Sequence, residues 1–148
     1  MEVIIKEFRE LTSIELYEIL KVRAEVFVME QEILYNDLDN KDYKSYHLMV
    51  KENDEIIGYL RIIQAGVSYE TMSIGRVLVL KSERKRQIGR KMLEKAIDYI
   101  KNDLKEKEIT ISAQFYLKKF YESLGFRAVT KMYIEEGIEH IKMKLKFN

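Results

Sequence analysis

The chain has no cysteine, no proline and no tryptophan, and glycine is scarce: six among 148 residues. Without cysteine there are no disulfides, no thiolate metal sites and no covalent intermediate on a cysteine sulfur. The lack of proline, beside abundant Lys, Glu and Ile, is read as compositional bias rather than a structural demand. Charge of one sign is lacking too. Lys and Arg number 26 against 25 Asp and Glu, a net charge of +1, so bulk charge points to neither a nucleic-acid nor a membrane partner. No run approaches the ~20 apolar residues of a membrane span. Glu2, Lys6, Glu7 and Arg9 interrupt the first apolar residues, so these do not read as a signal peptide, and the expected location is cytoplasmic.

What is present suits one domain over residues 1–148, long enough to bury roughly 70% of the surface its unfolded chain exposes. Val3–Ile5 and Phe8 suggest a first strand. Thr12 and Glu15 fit a capping box, with Leu11 and Leu16 placed for a hydrophobic staple, before a helix to about Val28. Leu16, Leu20, Ala24 and Phe27 are its expected apolar face. Tyr46–Lys51 and Ile56–Gln64 read as a hairpin across Asn53-Asp54, and Ile74–Leu80 as a near-continuously apolar central strand. Gln87–Leu104 carries Ile88, Met92, Ala96, Ile100 and Leu104 at four-residue spacing, a clear amphipathic helix. Ile109–Ala113, a short helix over Phe115–Leu124 capped by Gly125, and a hairpin of Val129–Ile134 with Ile141–Phe147 around Gly137 complete the pattern. The predicted order is βααβββαβαββ if Glu30–Leu34 adds a helical turn. It implies an α/β (α+β) mixed sheet with helices on both faces.

Between Lys81 and Lys91 stand six basic residues and one acidic residue, Glu83. They fill the turn between the Ile74–Leu80 strand and the helix start. Free amides and the positive end of a helix dipole at such a place favour a phosphate or pyrophosphate. Arg84, Lys85, Arg86, Gly89 and Arg90 are the candidate binders of an anionic cofactor.

Three segments carry a family resemblance over nearly the whole chain. Ile74-Gly-Arg-Val-Leu-Val79 followed by Arg84-Lys-Arg-Gln-Ile-Gly89 resembles the acyl-CoA strand and the R-x-x-G-x-G/A pyrophosphate loop of the GNAT acetyltransferase superfamily. Phe120-Tyr-Glu-Ser-Leu-Gly-Phe126 resembles that family's F-Y-x-x-x-G-F segment. Arg23–Gln31 together with Glu135–His140 is similar to the ElaA-like subgroup. The chain departs from the pattern once: Gln87 stands at the loop's first glycine position, where a side chain crowds the pyrophosphate or demands an unusual backbone angle.

The resemblance implies a mostly antiparallel central sheet and acetyl-CoA as co-substrate; with His47 and His140 far apart in sequence and no cysteine, no metal is expected. It implies that Arg84, Lys85, Arg86, Gln87, Ile88, Gly89 and Arg90 form the CoA loop. A bulge at Leu78 and Val79 would turn a backbone amide toward the thioester carbonyl. It implies that Tyr121 protonates the departing thiolate; a packed helix tyrosine is the plainer reading among ten tyrosines. Many proteins of this fold pair as homodimers, though no interface is legible here.

Glu30, Glu32, Asp37, Asp39 and Asp42 form an acidic segment that would attract a cationic amine, and Glu30 is the general-base candidate by residue type. His47 and His140 are the other bases available, because imidazole titrates near neutral pH. His140 shares a strand face with Lys142 and Lys144, which reads as solvated unless the strand end lines a cleft. Arg23, Arg61 and Arg76 lie in apolar elements and require partners, with Glu25, Glu30 or Asp39 expected.

The function expected is acetyl transfer from acetyl-CoA to a primary amine, on a small molecule or a peptide and plausibly cationic, by direct attack in a ternary complex. The rivals are an acyl-homoserine-lactone synthase, against which the missing Trp speaks, and a non-catalytic CoA-sensing module.

Overall fold

The computed structural model describes all 148 residues, Met1–Asn148. Eight strands form one sheet: β1 (Glu2–Glu7), β2 (Ser45–Glu52), β3 (Glu55–Ile63), β4 (Met72–Val79), β5 (Glu108–Gln114), β6 (Arg127–Ala128), β7 (Tyr133–Glu135) and β8 (Ile138–Lys146). Their spatial order is β1-β2-β3-β4-β5-β8-β6, with β7 also paired to β8. Every pairing is antiparallel except β4 with β5. Three α-helices accompany the sheet: α1 (Ser13–Arg23), α2 (Ile88–Asp98) and α3 (Lys118–Ser123). None is long and apolar enough to cross a membrane.

Local chemistry sets the turns. Asn53 and Asp54 both take left-handed φ, 54° and 64°, as do Glu136 and Gly137 at 51° and 75°. Two such residues in a row make the tight turn whose twist matches a hairpin. Thr12 and Glu15 form the predicted capping box. After α3 the amides of Gly125 and Phe126 donate to Glu122 and Tyr121 carbonyls, the Schellman closure that needs the φ of 103° at Gly125.

The sheet is covered on both faces. On one, Ile88, Met92, Leu93, Ala96 and Ile100 from α2 and its extension pack on Leu48, Leu60, Ile62 and Met143. On the other, Ile19, Val22 and Val26 pack on Met49, Tyr59 and Leu78. Gly58 on β3 lets α2 approach closely: a Cβ there would lie 2.7 Å from Met92 Sδ.

Three expectations are corrected. The buried face of α1 is Glu15, Ile19, Val22 and Arg23, whereas Ala24 is exposed. Beyond Arg23 the helix widens to π geometry over Ala24–Glu30, and Val26 continues the same inward face. Glu30–Leu34 adds no separate helix; a short 3-10 turn forms instead at Lys41–Lys44. Finally, Val129–Ile134 is not one strand. Only its end, Tyr133 and Ile134, falls in a strand, β7; β6 lies before it at Arg127–Ala128, and the two pair with different parts of β8. Between them the Thr130 hydroxyl accepts the Lys142 amide at 3.1 Å, doing what a strand carbonyl would do.

Candidate active site

The site begins with a fault in the sheet. β3 and β4 pair from Gly58↔Val79 to Tyr59↔Leu78 and again from Arg61↔Gly75, so Arg76 and Val77 together face Leu60. That is a bulge, and it increases local twist. It lies at Arg76 and Val77, just before Leu78 and Val79, the two residues at which the resemblance had implied it. Arg76 takes φ 50°, a conformation glycine would hold without strain. Its guanidinium is fixed by Asp37 Oδ1 at 2.7 Å and by the Tyr35 ring at 5.4 Å.

The parallel pair β4–β5 is joined only at Met72↔Ile109 and Ser73↔Thr110. Beyond these residues the two strands part. The gap is a cleft of about 720 Å³. Along β4 the amides alternate sides. Leu80 donates to Ile57 on β3 at 2.9 Å, so Leu78 faces β3 as well, and the Val79 amide faces the side that β5 has left. Of the two residues expected to supply an oxyanion donor, Val79 is therefore the one with a free direction, whereas the Leu78 side chain is core.

The basic turn closes the mouth of this cleft. Arg84, Lys85, Gln87, Gly89 and Arg90 line it. Arg86 does not: it forks onto Glu52 of β2 at 2.9 Å and onto Glu83. Ile88 is also turned away, into the core. Arg86 is turned away at the end of the tight 3-10 coil Lys81–Arg86, and Ile88 belongs to the buried apolar face of α2. Gln87 adopts φ 61° and ψ 23°, the angles the missing glycine would supply. The prediction is that Gln87→Gly relieves roughly 1–2 kcal/mol of left-handed strain and gives back roughly 0.5–1 kcal/mol in chain entropy. Denaturant unfolding should show a small net stabilisation, and a clear loss would contradict it. Gly89 is ordinary helix, and a Cβ there would meet only Val79 Cγ2 at 3.8 Å. Packing within the protein leaves room for a side chain at this position, and the bare helix start suits a phosphate.

Glu30, expected as the general base, is committed elsewhere. Arg84 grips it through both guanidinium nitrogens, at 2.6 and 2.8 Å, and this hydrogen bonding holds its carboxyl below the usual range. A carboxylate so stabilised is a poor proton acceptor. The three aspartates of the acidic segment are neutralised as well. Asp42 bonds Arg23 at 2.7 Å and Arg61 at 3.0 Å, Asp39 bonds Arg61 at 2.5 Å, and Asp37 bonds Arg23 at 2.8 Å. Three arginines within apolar elements have drawn three aspartates inward, so Asp37, Asp39 and Asp42 are a buttress and not a receptor for a cation. Of the partners expected for these arginines, Asp39 is found and Glu25 and Glu30 are not.

Tyr121 lines the cleft and is 6% exposed. Burial, and next to it the neighbouring Tyr116, pushes its hydroxyl up to about 12. His47 is fully buried, with Nε2 against the Asp42 carbonyl at 3.0 Å and Nδ1 accepting from Tyr59 at 2.6 Å. It takes no part in the cleft, and burial lowers its pKa. His140 is buried and lines the cleft, the alternative to solvation that its place near a strand end left open. β7 pairs with the edge of β8 there, and the Tyr133 ring stacks on the imidazole. Sequence inspection also missed the cleft residues Ser112 and Glu135. Glu135 stood beside His140 in the motif segment, but only a hairpin register could show that they meet.

Strands that part beside a loop suited to a diphosphate define the CoA-dependent acyltransferase class. The chain belongs to the GNAT acetyltransferase family, whose model, an acetyltransferase (GNAT) domain, matches residues 15–147. Protein ElaA of Escherichia coli (strain K12) is 36% identical over 136 residues, spanning 90% of this chain and 89% of that one. The crystal structure of E. coli ElaA superposes with a TM-score of 0.92 at 33% identity, covering 98% and 99% of the two chains. An acyl-CoA N-acyltransferase from Pseudomonas aeruginosa superposes equally well, at 32% identity and with the same coverage. A CoA-dependent acyl-homoserine lactone synthase, 13% identical with a TM-score of 0.78 over 99% of this chain and 82% of that one, shares the fold alone.

Proposed function

We propose that this chain moves an acetyl group from acetyl-CoA to a primary amine by direct attack in a ternary complex. The observation that carries the reading is the single cleft where β4 and β5 part, lined at once by the basic loop, Val79 and Tyr121. The loop amides near Gly89, with Arg84, Lys85 and Arg90, would hold the diphosphate and ribose phosphate. The Val79 amide would donate to the thioester oxygen as negative charge grows on it. Tyr121 would donate to the sulfur. The absence of cysteine removes a cysteine acyl-enzyme, and positioning of two bound substrates is the main catalytic contribution expected.

The test is acetyl-CoA turnover against a panel of amines, small and peptidic, read by free-thiol release. Thiol release that depends on amine supports the reading, and acetyl-CoA binding with no transfer to any amine overturns it. The donor side is tested separately. At a hundredfold excess over Kd, acetyl-CoA should add about 2.7 kcal/mol of stability, raising Tm by ~5–10 °C. Gly89→Val should fold, because the nearest atom to a Cβ is 3.8 Å away, yet lose this shift. An undiminished shift in Gly89→Val would put the diphosphate elsewhere.

A further inference from the structure

We propose that His140 is the general base for the acceptor, with Glu135 as the group that stabilises its charged form; this deepens the amine-acetylation reading above and rests on it. The position is favourable. His140 sits near the start of β8, opposite Gln114 of β5, and lines the same cleft as Val79 and Tyr121.

The tautomer follows from one contact. His140 Nδ1 lies 2.8 Å from the Ile138 carbonyl oxygen. A carbonyl only accepts, so Nδ1 carries the hydrogen, and in the neutral ring Nε2 is left with its lone pair. That lone pair is the feature a base requires. Nε2 is 3.6 Å from Glu135 Oε2. A neutral Nε2 gains nothing from a facing carboxylate. Once protonated it is attracted, so Glu135 favours the product of proton transfer over its starting state.

The surroundings hold the ring still. Tyr133 of β7 stacks on it with centroids 6.2 Å apart and planes at 24°. The Tyr133 hydroxyl is tied to Ser112 Oγ on β5, and Ser112 reaches Glu135 at 3.4 Å. From β5, then, Ser112 and Gln114 face His140; from β7, Tyr133 and Glu135; along β8, Lys142 shares its face but lies over the Tyr69 ring at 5.1 Å. Glu135 is the charged group of this set within reach of Nε2. Its side chain is half exposed, at 51%, which opens a route for the proton to solvent. The other candidate bases are occupied, Glu30 by Arg84 and His47 by Tyr59 and the Asp42 carbonyl.

The step balances as follows. The acceptor ammonium gives one proton to Nε2, and the freed nitrogen lone pair forms the C–N bond at the thioester carbon. The C–S bond then breaks and its electron pair leaves with sulfur. The nitrogen loses a second proton as the amide forms, and one proton ends on the sulfur to give the thiol. The imidazolium releases its proton past Glu135 to water, so one proton is liberated for each acetyl moved from thioester to amine.

The test uses the full chain and any amine the wild type acetylates in the panel. His140→Gln should lower kcat/KM at neutral pH by ~10²–10⁴-fold, keep the acetyl-CoA melting shift, and recover activity with added imidazole and with rising pH. Glu135→Gln should fold and lower kcat while leaving the amine KM and the acetyl-CoA melting shift unchanged, because the imidazolium formed on proton transfer loses the carboxylate that faces it, and Glu135→Asp should recover part of the loss. Wild-type turnover by His140→Gln, or an undiminished kcat in Glu135→Gln, overturns the assignment. The second variant decides the matter if the first does not fold. A wild type that binds acetyl-CoA and acetylates no amine overturns the acetylation reading itself, and this assignment with it.

Discussion

Asp42→Asn is expected to lower stability by ~3–5 kcal/mol, the cost of leaving buried charge without its partner. Asp42 accepts from Arg23, whose side chain is 0% exposed, and from Arg61, at 3%. An amide in its place keeps the shape but offers one weaker acceptor oxygen to two guanidinium groups. Neither arginine can escape by losing its proton: burial alone would ease that loss, but Tyr59 and Asp42 around Arg23, and Asp39 around Arg61, hold both well above the usual range. In a chain of this length the loss corresponds to a Tm lower by roughly 10–20 °C. Acid should mimic the substitution. Burial raises the Asp39 and Asp42 carboxyls, but Arg61 and Arg23 outweigh it and hold both below the ordinary carboxylate range. A carboxyl depressed in the folded state contributes its stability above the unfolded value of ~3.9 and loses it as pH falls through the folded one. Wild-type Tm should therefore drop steeply below about pH 4, and Asp42→Asn should show a shallower drop. An Asp42→Asn protein as stable as wild type would mean that the arginines find water or other partners.

The same network shows what a sequence can and cannot disclose. Arg23, Arg61 and Arg76 announce themselves by standing among apolar residues, so the need for partners is legible. Which partners cannot be read, because Asp37, Asp39 and Asp42 lie in a largely irregular segment where no periodicity fixes a face. Helix α2 is legible almost to the residue, since its apolar spacing and its burial in the sheet obey one period. Helix α1 is not. Its inward face includes Glu15 and Arg23, which no hydrophobic pattern marks, so the face read from Leu16, Leu20 and Ala24 lies about one position off the buried one. The basic turn and Tyr121 could be located from their motifs, and both line the cleft. The bulge was displaced because it depends on β3–β4 register. His140 could be read as solvated or as lining a cleft, because only the β7–β8 register places the Tyr133 ring against it.

Tyr121→Phe should lower kcat about a hundredfold while acetyl-CoA still stabilises the fold. The ring sits edge-on against Phe120 and Phe126, at 5.4 and 5.8 Å, and phenylalanine preserves both contacts. What disappears is one O–H facing the cleft. General acid catalysis is worth ~10²–10⁴-fold, and the acidity of this hydroxyl selects the low end. Burial first, and Tyr116 second, raise it to about 12, whereas an ordinary thiol sits near 8.5. Complete transfer of the tyrosine proton to the thiolate is uphill by roughly 3.5 units, about 5 kcal/mol at 1.36 kcal/mol per unit. The hydroxyl is thus suited to stabilise sulfur as charge builds on it, with the final proton coming from water. Two consequences follow from that role. The penalty should shrink for acyl donors whose thiol is more acidic, because less charge needs support. Wild-type activity should show no basic limb assignable to Tyr121 across the neutral range, since the group stays protonated throughout. Wild-type turnover by Tyr121→Phe would remove it from the mechanism, and a collapse in Tm would reassign it to packing.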